Sequence, residues 1–169
     1  MNPHVDPRTR LTRQAILGAF ATLALSRRYD AIRTGDLIAA AGIGRSTFYE
    51  HFRSKDEVLV SAVEPVLHTL AAAALGRASL AQVRATLDHV WEQRAIARAL
   101  FDGRTGDRLQ RRLAALITQR AGDAAALPAM AAAAAQLTML RLWVRGEAAC
   151  PAAELAGHIR ACESLLDPS

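Results

Sequence analysis

The segment from Arg33 to Lys55 constrains the fold most strongly, because its sequence predicts two short helices joined by a tight turn. Thr34 can cap the first helix, whose apolar residues recur at helical spacing. Gly42 can adopt the left-handed conformation that ends a helix, and Gly44 leaves the backbone free before the second helix. Two short helices joined by a glycine-containing turn of about three or four residues are typical of a helix-turn-helix unit.

The second of these helices, expected at residues 45–51, separates its side chains by face. Phe48 and Phe52 lie four positions apart and are expected to pack against the first helix. The other side carries guanidinium, hydroxyl and phenol groups, which bind base edges and phosphates in duplex DNA. These outward-facing residues are Arg45, Ser46, Thr47, Tyr49, Glu50 and His51. The pattern indicates that the chain binds DNA through this helix.

A further helix is expected to begin at Lys55, because Ser54 and Glu57 form a capping-box pattern immediately around that position. The first turn of a helix presents free amide groups and a partial positive charge. Together with the ammonium of Lys55, this end of the helix is suited to a phosphate group.

The same region resembles the N-terminal domain of the tetracycline-repressor (TetR) family of bacterial transcription regulators. The resemblance rests on a Thr-led helix, an Ala-Gly-Ile turn at 41–43, the run Thr-Phe-Tyr-Glu-His-Phe at 47–52 and the lysine at 55. It implies phosphate contacts from some of these side chains and base contacts from others. The implied phosphate-contacting residues are Thr34, Tyr49, His51 and Lys55. The implied base-reading residues are Arg45, Ser46 and Thr47, which follow Gly44 at the turn.

Two residues depart from the family pattern. Gly35 has no side chain with which to contact a base from the first helix. Glu50 places an acid where the family often has a neutral aromatic or polar residue. This carboxylate could accept a hydrogen bond from cytosine N4, or it could face away from the phosphates that repel it.

Basic charge is concentrated in the region that holds the helix-turn-helix. Residues 1–56 contain nine basic and five acidic residues, and the rest of the chain contains twelve and eleven, so +4 of the net charge of +5 lies in the first third. A protein that binds a polyanion is expected to show such a concentration. If the charged residues served only to keep the surface solvated, the basic residues would not be concentrated in one region.

Other classes of protein receive no support from the sequence. The chain contains no G-x-S-x-G, P-loop, H-E-x-x-H or dinucleotide-binding motif, so we expect neither an enzyme nor a cofactor. Cys150 and Cys162 form neither a disulfide framework nor a metal-binding motif. The chain shows no signal peptide and no uncharged stretch of about 18 residues, which predicts a cytoplasmic protein without a membrane partner.

The whole chain predicts an all-α fold. We expect disorder at residues 1–8 and a first helix from Thr9 to Ser26 that covers the helix-turn-helix. A three-helix DNA-binding domain is expected at residues 1–54 and a helical effector-binding and dimerisation domain at 55–169. The helices expected in the second domain lie at about 55–75, 79–102, 107–120, 127–145 and 151–166.

For the second domain, the resemblance to TetR-family regulators implies a small-molecule pocket and a dimer interface made by the last two helices. The candidate effector-binding residues are His68, His89, Trp91, Phe101, Met130, Met139 and Trp143. The candidate dimer-interface residues are Leu142, Leu155, Ile159, Cys162 and Leu166. Each of these side chains could instead belong to the core or to an ordinary solvated surface.

The predicted function is that of a homodimeric transcriptional repressor, which binds a palindromic operator in double-stranded DNA and is released by a small-molecule effector. Twofold symmetry is expected because two half-sites give a helix-turn-helix protein more discrimination than one. Two alternatives remain open at this point. One is a TetR-like DNA-binding protein without an effector, and the other is an architectural protein that binds DNA without regard to sequence.

Overall fold

The structure, a computed structural model, describes residues 7–166 and is built from helices, with no strand in that range. The helices are α1 Pro7–Ser26, α2 Thr34–Ala41, α3 Arg45–His51, α4 Lys55–Ala74, α5 Leu80–Glu92, α6 Arg94–Leu100, α7 Gly103–Ala121, α8 Ala126–Arg145 and α9 Ala152–Ala161. Three short 3-10 turns lie at Tyr29–Ala31, Asp123–Ala125 and Cys162–Leu165. The predicted all-α fold is confirmed, and the disorder expected at the N-terminus falls mostly on residues outside the described range.

The chain forms two compact units, which meet between Val63 and Glu64. This boundary lies inside α4, so one continuous helix contributes residues to both units. The domain boundary expected from the sequence, between residues 54 and 55, lies at the start of the same helix and stays a prediction.

In the first unit, α1 packs against α2 and α3 around an aromatic core. The largest fully buried side chains of this core are Ile16, Phe20, Ile32, Leu37, Phe48 and Phe52. Two local caps define where its helices begin. Arg33, and not Thr34, is the N-cap of α2, and its amide donates to Oδ2 of Asp36 at 2.8 Å. At the start of α4 the amide of Glu57 donates to Oγ of Ser54 at 3.3 Å, as expected from the capping pattern.

In the second unit, α7 packs against α8 and α5 packs against α9. Gln136 of α8 is fully buried, and its Nε2 donates to the carbonyls of Leu70 at 3.1 Å and Ile159 at 3.2 Å. This side chain therefore joins α4, α8 and α9 at the centre of the unit. The single helix expected at 79–102 is two helices, α5 and α6, because the chain departs from helical geometry at Gln93.

Two helical segments, Lys55–Ala74 and Asp123–Arg145, are long and apolar enough to cross a membrane by length and composition alone. Core helices of soluble proteins have the same properties, and both segments contribute buried residues to the cores described above. Packing within the protein buries 44% of the apolar window of the first segment and 33% of that of the second.

Candidate nucleic-acid interface

The turn between α2 and α3 has the geometry that the sequence predicts. Gly42 has a φ of 65°, in the left-handed region, and its amide donates to the carbonyl of Ala39 at 3.2 Å. The amide of Ile43 donates to the carbonyl of Ile38 at 3.3 Å, which closes the end of α2. Gly44 then adopts an extended conformation as the exposed N-cap of α3. The two helices are therefore joined as a helix-turn-helix.

Helix α3 is anchored by its aromatic side and presents its polar side to solvent. Phe48 and Phe52 are buried, as predicted. Among the predicted base-reading residues, Arg45 and Ser46 are exposed and Thr47 is half-buried. Glu50 is also exposed, so its carboxylate lies on the same solvent-facing side of the first unit. The exposed guanidinium, hydroxyl and carboxylate groups can form hydrogen bonds with base edges or phosphates.

Tyr49 lies on this exposed side in a fixed position. Its side chain is 47% exposed, and its ring packs edge-on against Phe48 with centroids 5.4 Å apart. The guanidinium of Arg45 lies 5.8 Å from the centroid of the Tyr49 ring. The two side chains therefore lie next to each other on the exposed side of α3.

Lys55 makes contacts within its own chain. Its Nζ donates to the carbonyls of Ile32 at 2.7 Å, Tyr29 at 3.1 Å and Asp30 at 3.4 Å, and it lies 4.5 Å from the centroid of the Tyr29 ring. An ammonium group has three N–H donors, and these three carbonyls accept from all of them. Lys55 therefore joins the 3-10 turn after α1 to the start of α4, and the phosphate contact implied for it stays a prediction.

Arg13 is a residue whose role the sequence did not reveal. Its Nη1 donates to the carbonyl of His51 at 3.1 Å, and its Nη2 donates to Oγ of Ser61 at 3.0 Å. The guanidinium also lies 4.3 Å from the centroid of the Phe52 ring. Arg13 thus connects α1 with the C-terminal end of α3 and with α4. Arg13 lies three residues before Ile16, beside the buried face of α1, and this position was the feature of the sequence that could have indicated a contact within the protein.

The remaining predicted phosphate-contacting residues are less exposed. Thr34 is the first residue of α2 and is half-buried. His51, the last residue of α3, is also half-buried, and its carbonyl accepts from Arg13. Gly35 is exposed on α2 with open space around the position of a Cβ. The exposed polar groups of the candidate interface therefore come mainly from α3.

The candidate effector-binding residues lie in several separate places. His68 borders a cleft of about 400 Å³ between α4 and α5, and its Nδ1 lies 2.6 Å from Nη2 of Arg120. Phe101 is buried beside a different cleft of about 90 Å³ between α7 and α8. These residues therefore do not line one shared cavity.

The other effector candidates are surface or core residues. Trp91 and Trp143 pack together with ring centroids 4.7 Å apart, and Trp143 donates from Nε1 to the carbonyl of Cys150 at 2.9 Å. His89 is exposed, with its Nδ1 3.8 Å from Oε2 of Glu92 on the same helix. The two methionines differ, since Met139 is half-buried on α8 and Met130 is exposed. No group of three or more His, Cys, Asp or Glu residues in 7–166 could hold a metal ion.

The expected dimer-interface residues differ in their burial, and their role in a dimer stays a prediction. Leu155, Ile159 and Cys162 are buried within their own protomer. A side chain that its own protomer already encloses has no surface left to bury against a partner. Leu142 and Leu166 are half-buried and retain some accessible surface.

The fold and the exposed face of α3 define a helix-turn-helix DNA-binding domain. Residues 16–62 match the family described as "Bacterial regulatory proteins, tetR family". A stretch of 53 residues is 40% identical to the HTH-type transcriptional regulator EthR of Mycolicibacterium smegmatis, and the match covers 31% of this chain and 24% of that protein. Residues 16–62 are therefore similar to that family, and the matched stretch spans about a quarter of the length of this curated relative.

Solved structures share the fold over most of the chain. A TetR transcriptional regulator from Streptococcus agalactiae superimposes with a TM-score of 0.59 at 23% identity, covering 94% of this chain and 96% of its own. The dihydroxyacetone kinase operon activator DhaS superimposes with a TM-score of 0.52 at 19% identity, covering 92% and 96%. At these identities the likeness establishes the fold, and the helices of the second unit are part of it.

Proposed function

We propose that this protein is a cytoplasmic, homodimeric transcriptional repressor that binds a near-palindromic operator and is released by a small-molecule effector. The observation that carries the proposal is the exposed polar side of α3, with Arg45 and Tyr49 held next to each other above buried Phe48. This helix belongs to the segment that matches the tetR family. The protein acts by binding, without a catalytic step or a cofactor.

An exposed apolar stripe on α8 supports the homodimer. Leu127 is 76% exposed and Met130 is 57% exposed, and Ala134 and Thr138 continue the same side of the helix with partial or full exposure. Such a contiguous apolar surface is typical of a surface that binds another protein. Leu165, in the 3-10 turn that contacts α8, is also exposed. We assign the dimer contact to this surface, and the buried leucine and isoleucine of α9 support it from inside the protomer.

Two symmetry-related copies of α3 would read two half-sites about 34 Å, or one duplex turn, apart, or a multiple of that distance. Helix α4 contributes to both units of each protomer. If an effector binds more tightly to a conformation in which α4 has another direction, it shifts the protein toward that conformation. The separation of the two recognition helices then changes. A coupling of about 1–3 kcal/mol between effector and DNA is the usual scale.

The proposal is tested by selecting bound fragments from genomic DNA and then measuring gel shifts with the selected operator and with random DNA. Replacing Arg45 and Tyr49 together with alanine should remove most of the preference for the operator, because these side chains form the exposed contact surface. Arg111, an exposed arginine on α7, provides the matched control, and Arg111→Ala should leave binding unchanged.

Three results would contradict parts of the proposal. Equal affinity for operator and random DNA indicates an architectural protein that does not read sequence. An unchanged affinity in the Arg45 and Tyr49 double variant excludes α3 as the recognition helix. A monomer in sedimentation at the concentration of the binding assay, with normal operator binding, excludes the dimer.

A further inference from the structure

A cleft of about 420 Å³ lies where the C-terminal ends of α4 and α7 meet the start of α8 and the 3-10 turn that follows α9. Four alanine side chains line it, together with Leu75, Pro128 and Leu166. Glu163 is the charged residue among the described residues that line it. The volume is in the range of small-molecule sites, which are about 300–1,000 Å³ and mostly apolar with few polar groups. None of the residues predicted to bind an effector lines this cleft.

The helix ends give the cleft a negative character. Helix α4 ends at Ala74 and α7 ends at Ala121, and both residues line the cleft. The last turn of a helix carries carbonyl groups without intrahelical donors and a partial negative charge. The first turn of α8 at the same cleft carries the opposite partial charge and offsets one of these ends. The other C-terminal end and the carboxylate of Glu163 favour a ligand that carries positive charge and N–H or polarised C–H donors.

The carboxylate of Glu163 is positioned by the backbone and remains available to a ligand. A Cβ on Gly76 would overlap this carboxylate, and Gly76 has a φ of 67° that also favours glycine. The amide of Gly76 donates to the carbonyl of Ala73 at 3.1 Å, so it does not neutralise the carboxylate. Within residues 7–166 the ion pair of Glu163 is with Arg160, whose Nη2 lies 3.6 Å from Oε2. That distance is long for a charge-assisted hydrogen bond.

We propose that this cleft binds a small amphipathic monocation, an alkylammonium, with its hydrocarbon chain against the alanine wall and its charge beside Glu163. The inference names a chemical class for the effector of the proposed function. It rests on that function only where it expects the ligand to change operator binding. Binding to the cleft itself can be measured without DNA, so the two proposals fail separately.

The test is titration calorimetry of the full chain with n-hexylammonium, compared with hexan-1-ol and hexanoate of the same chain length. We expect hexylammonium to bind more tightly than the alcohol by up to about fivefold, since one partly exposed ion pair contributes on that scale. Hexanoate should bind more weakly than the alcohol. Absence of measurable binding, or tighter binding of hexanoate, overturns the proposal.

Two variants should shift the affinity in opposite directions. Glu163→Gln removes the charge and should reduce hexylammonium binding to the level of the alcohol. Arg160→Gln removes the competing cation and should strengthen hexylammonium binding. Glu154→Gln is the matched control, because Glu154 is an exposed acid on α9 paired with His158. Equal affinity in all three variants overturns the proposal.

Thermal melts without ligand establish that each variant folds, and Arg160→Gln carries the test if Glu163→Gln does not fold. A gel shift with hexylammonium then measures the effect on DNA separately. Reduced operator binding by the unaltered protein, together with no effect on Glu163→Gln, supports the regulatory role of the cleft. Calorimetric binding without any effect on operator binding leaves the site in place and refutes its role as the effector site.

Discussion

Arg13 provides the sharpest test of how the recognition helix is held in place. Its guanidinium makes two hydrogen bonds, to His51 and Ser61, and lies against the ring of Phe52. A hydrogen bond to a charged group contributes about 1.5–3 kcal/mol when buried, and partial exposure reduces the two bonds together toward about 1 kcal/mol. The contact with the ring adds about 0.5–1 kcal/mol at a partly exposed site. Replacing Arg13 with methionine, which keeps most of the stem, should therefore lower the free energy of unfolding by about 2 kcal/mol.

Thermal and urea unfolding of the Arg13→Met variant measure this loss. For a chain of this size the melting temperature should fall by about 4–8 °C. Arg10, an exposed arginine on the same helix, is the matched control, and Arg10→Met should change stability by less than about 0.5 kcal/mol. Equal stability of the two variants would refute the role of Arg13 in supporting α3.

The salt dependence of DNA binding separates this role from a direct contact with DNA. A lysine or arginine that neutralises one phosphate contributes about 0.9 to the slope of log K against log salt concentration. Arg13 binds protein groups, so Arg13→Met should weaken operator binding without changing the slope. A lower slope combined with unchanged stability would show instead that Arg13 belongs to a basic arm on the DNA.

Three further predictions follow from individual side chains. Lys55→Met should cost about 1–2 kcal/mol of stability and leave the salt slope of operator binding unchanged, whereas a slope lowered by about 0.9 per protomer would show a phosphate contact. Gly76→Ala should destabilise the protein by more than about 1 kcal/mol, because Gly76 has a positive φ and lies against a carboxylate. Gly18→Ala, in open space on α1, should stabilise it by about 0.5–1 kcal/mol. Urea unfolding measures both changes, and equal effects would contradict the structure. Burial raises the pKa of the Cys162 thiol, so less of it is thiolate near neutral pH. In a thiol-modification assay on single Cys→Ser variants, Cys162 should react more slowly than half-buried Cys150, and its rate should rise with pH through the alkaline range. Equal rates for the two thiols from pH 7 upward would contradict this.

The helix-turn-helix could be predicted from the sequence because its determinants are local. The left-handed Gly42, the spacing of Phe48 and Phe52 and the cap at Ser54 act within one or two turns of chain, and all three appear in the structure as expected. The capping box at the start of α5 was predictable for the same reason, since Ser79 and Gln82 exchange hydrogen bonds within one turn.

Long charged side chains were harder to interpret. The sequence shows that Arg13 and Lys55 lie in a basic region, and contact with DNA was the prediction for Lys55. Each side chain is long enough to reach either a phosphate or a carbonyl of its own chain, and its partners are more than 20 residues away in sequence. No local pattern distinguishes these two destinations.

By itself the sequence determined where α2 ends, where α3 and α4 begin and which side of α3 is polar, because caps, glycines and helical periodicity act over a few residues. It also determined that α9 has an apolar side, but not what that side contacts. The tertiary structure decided that Leu155 and Ile159 are enclosed by their own protomer and that the exposed apolar stripe begins at Leu127 of α8. It also brought Glu163 to the ends of α4 and α7. The physical reason is that burial depends on which distant helices pack together, and helical periodicity contains no information about the identity of the packing partner.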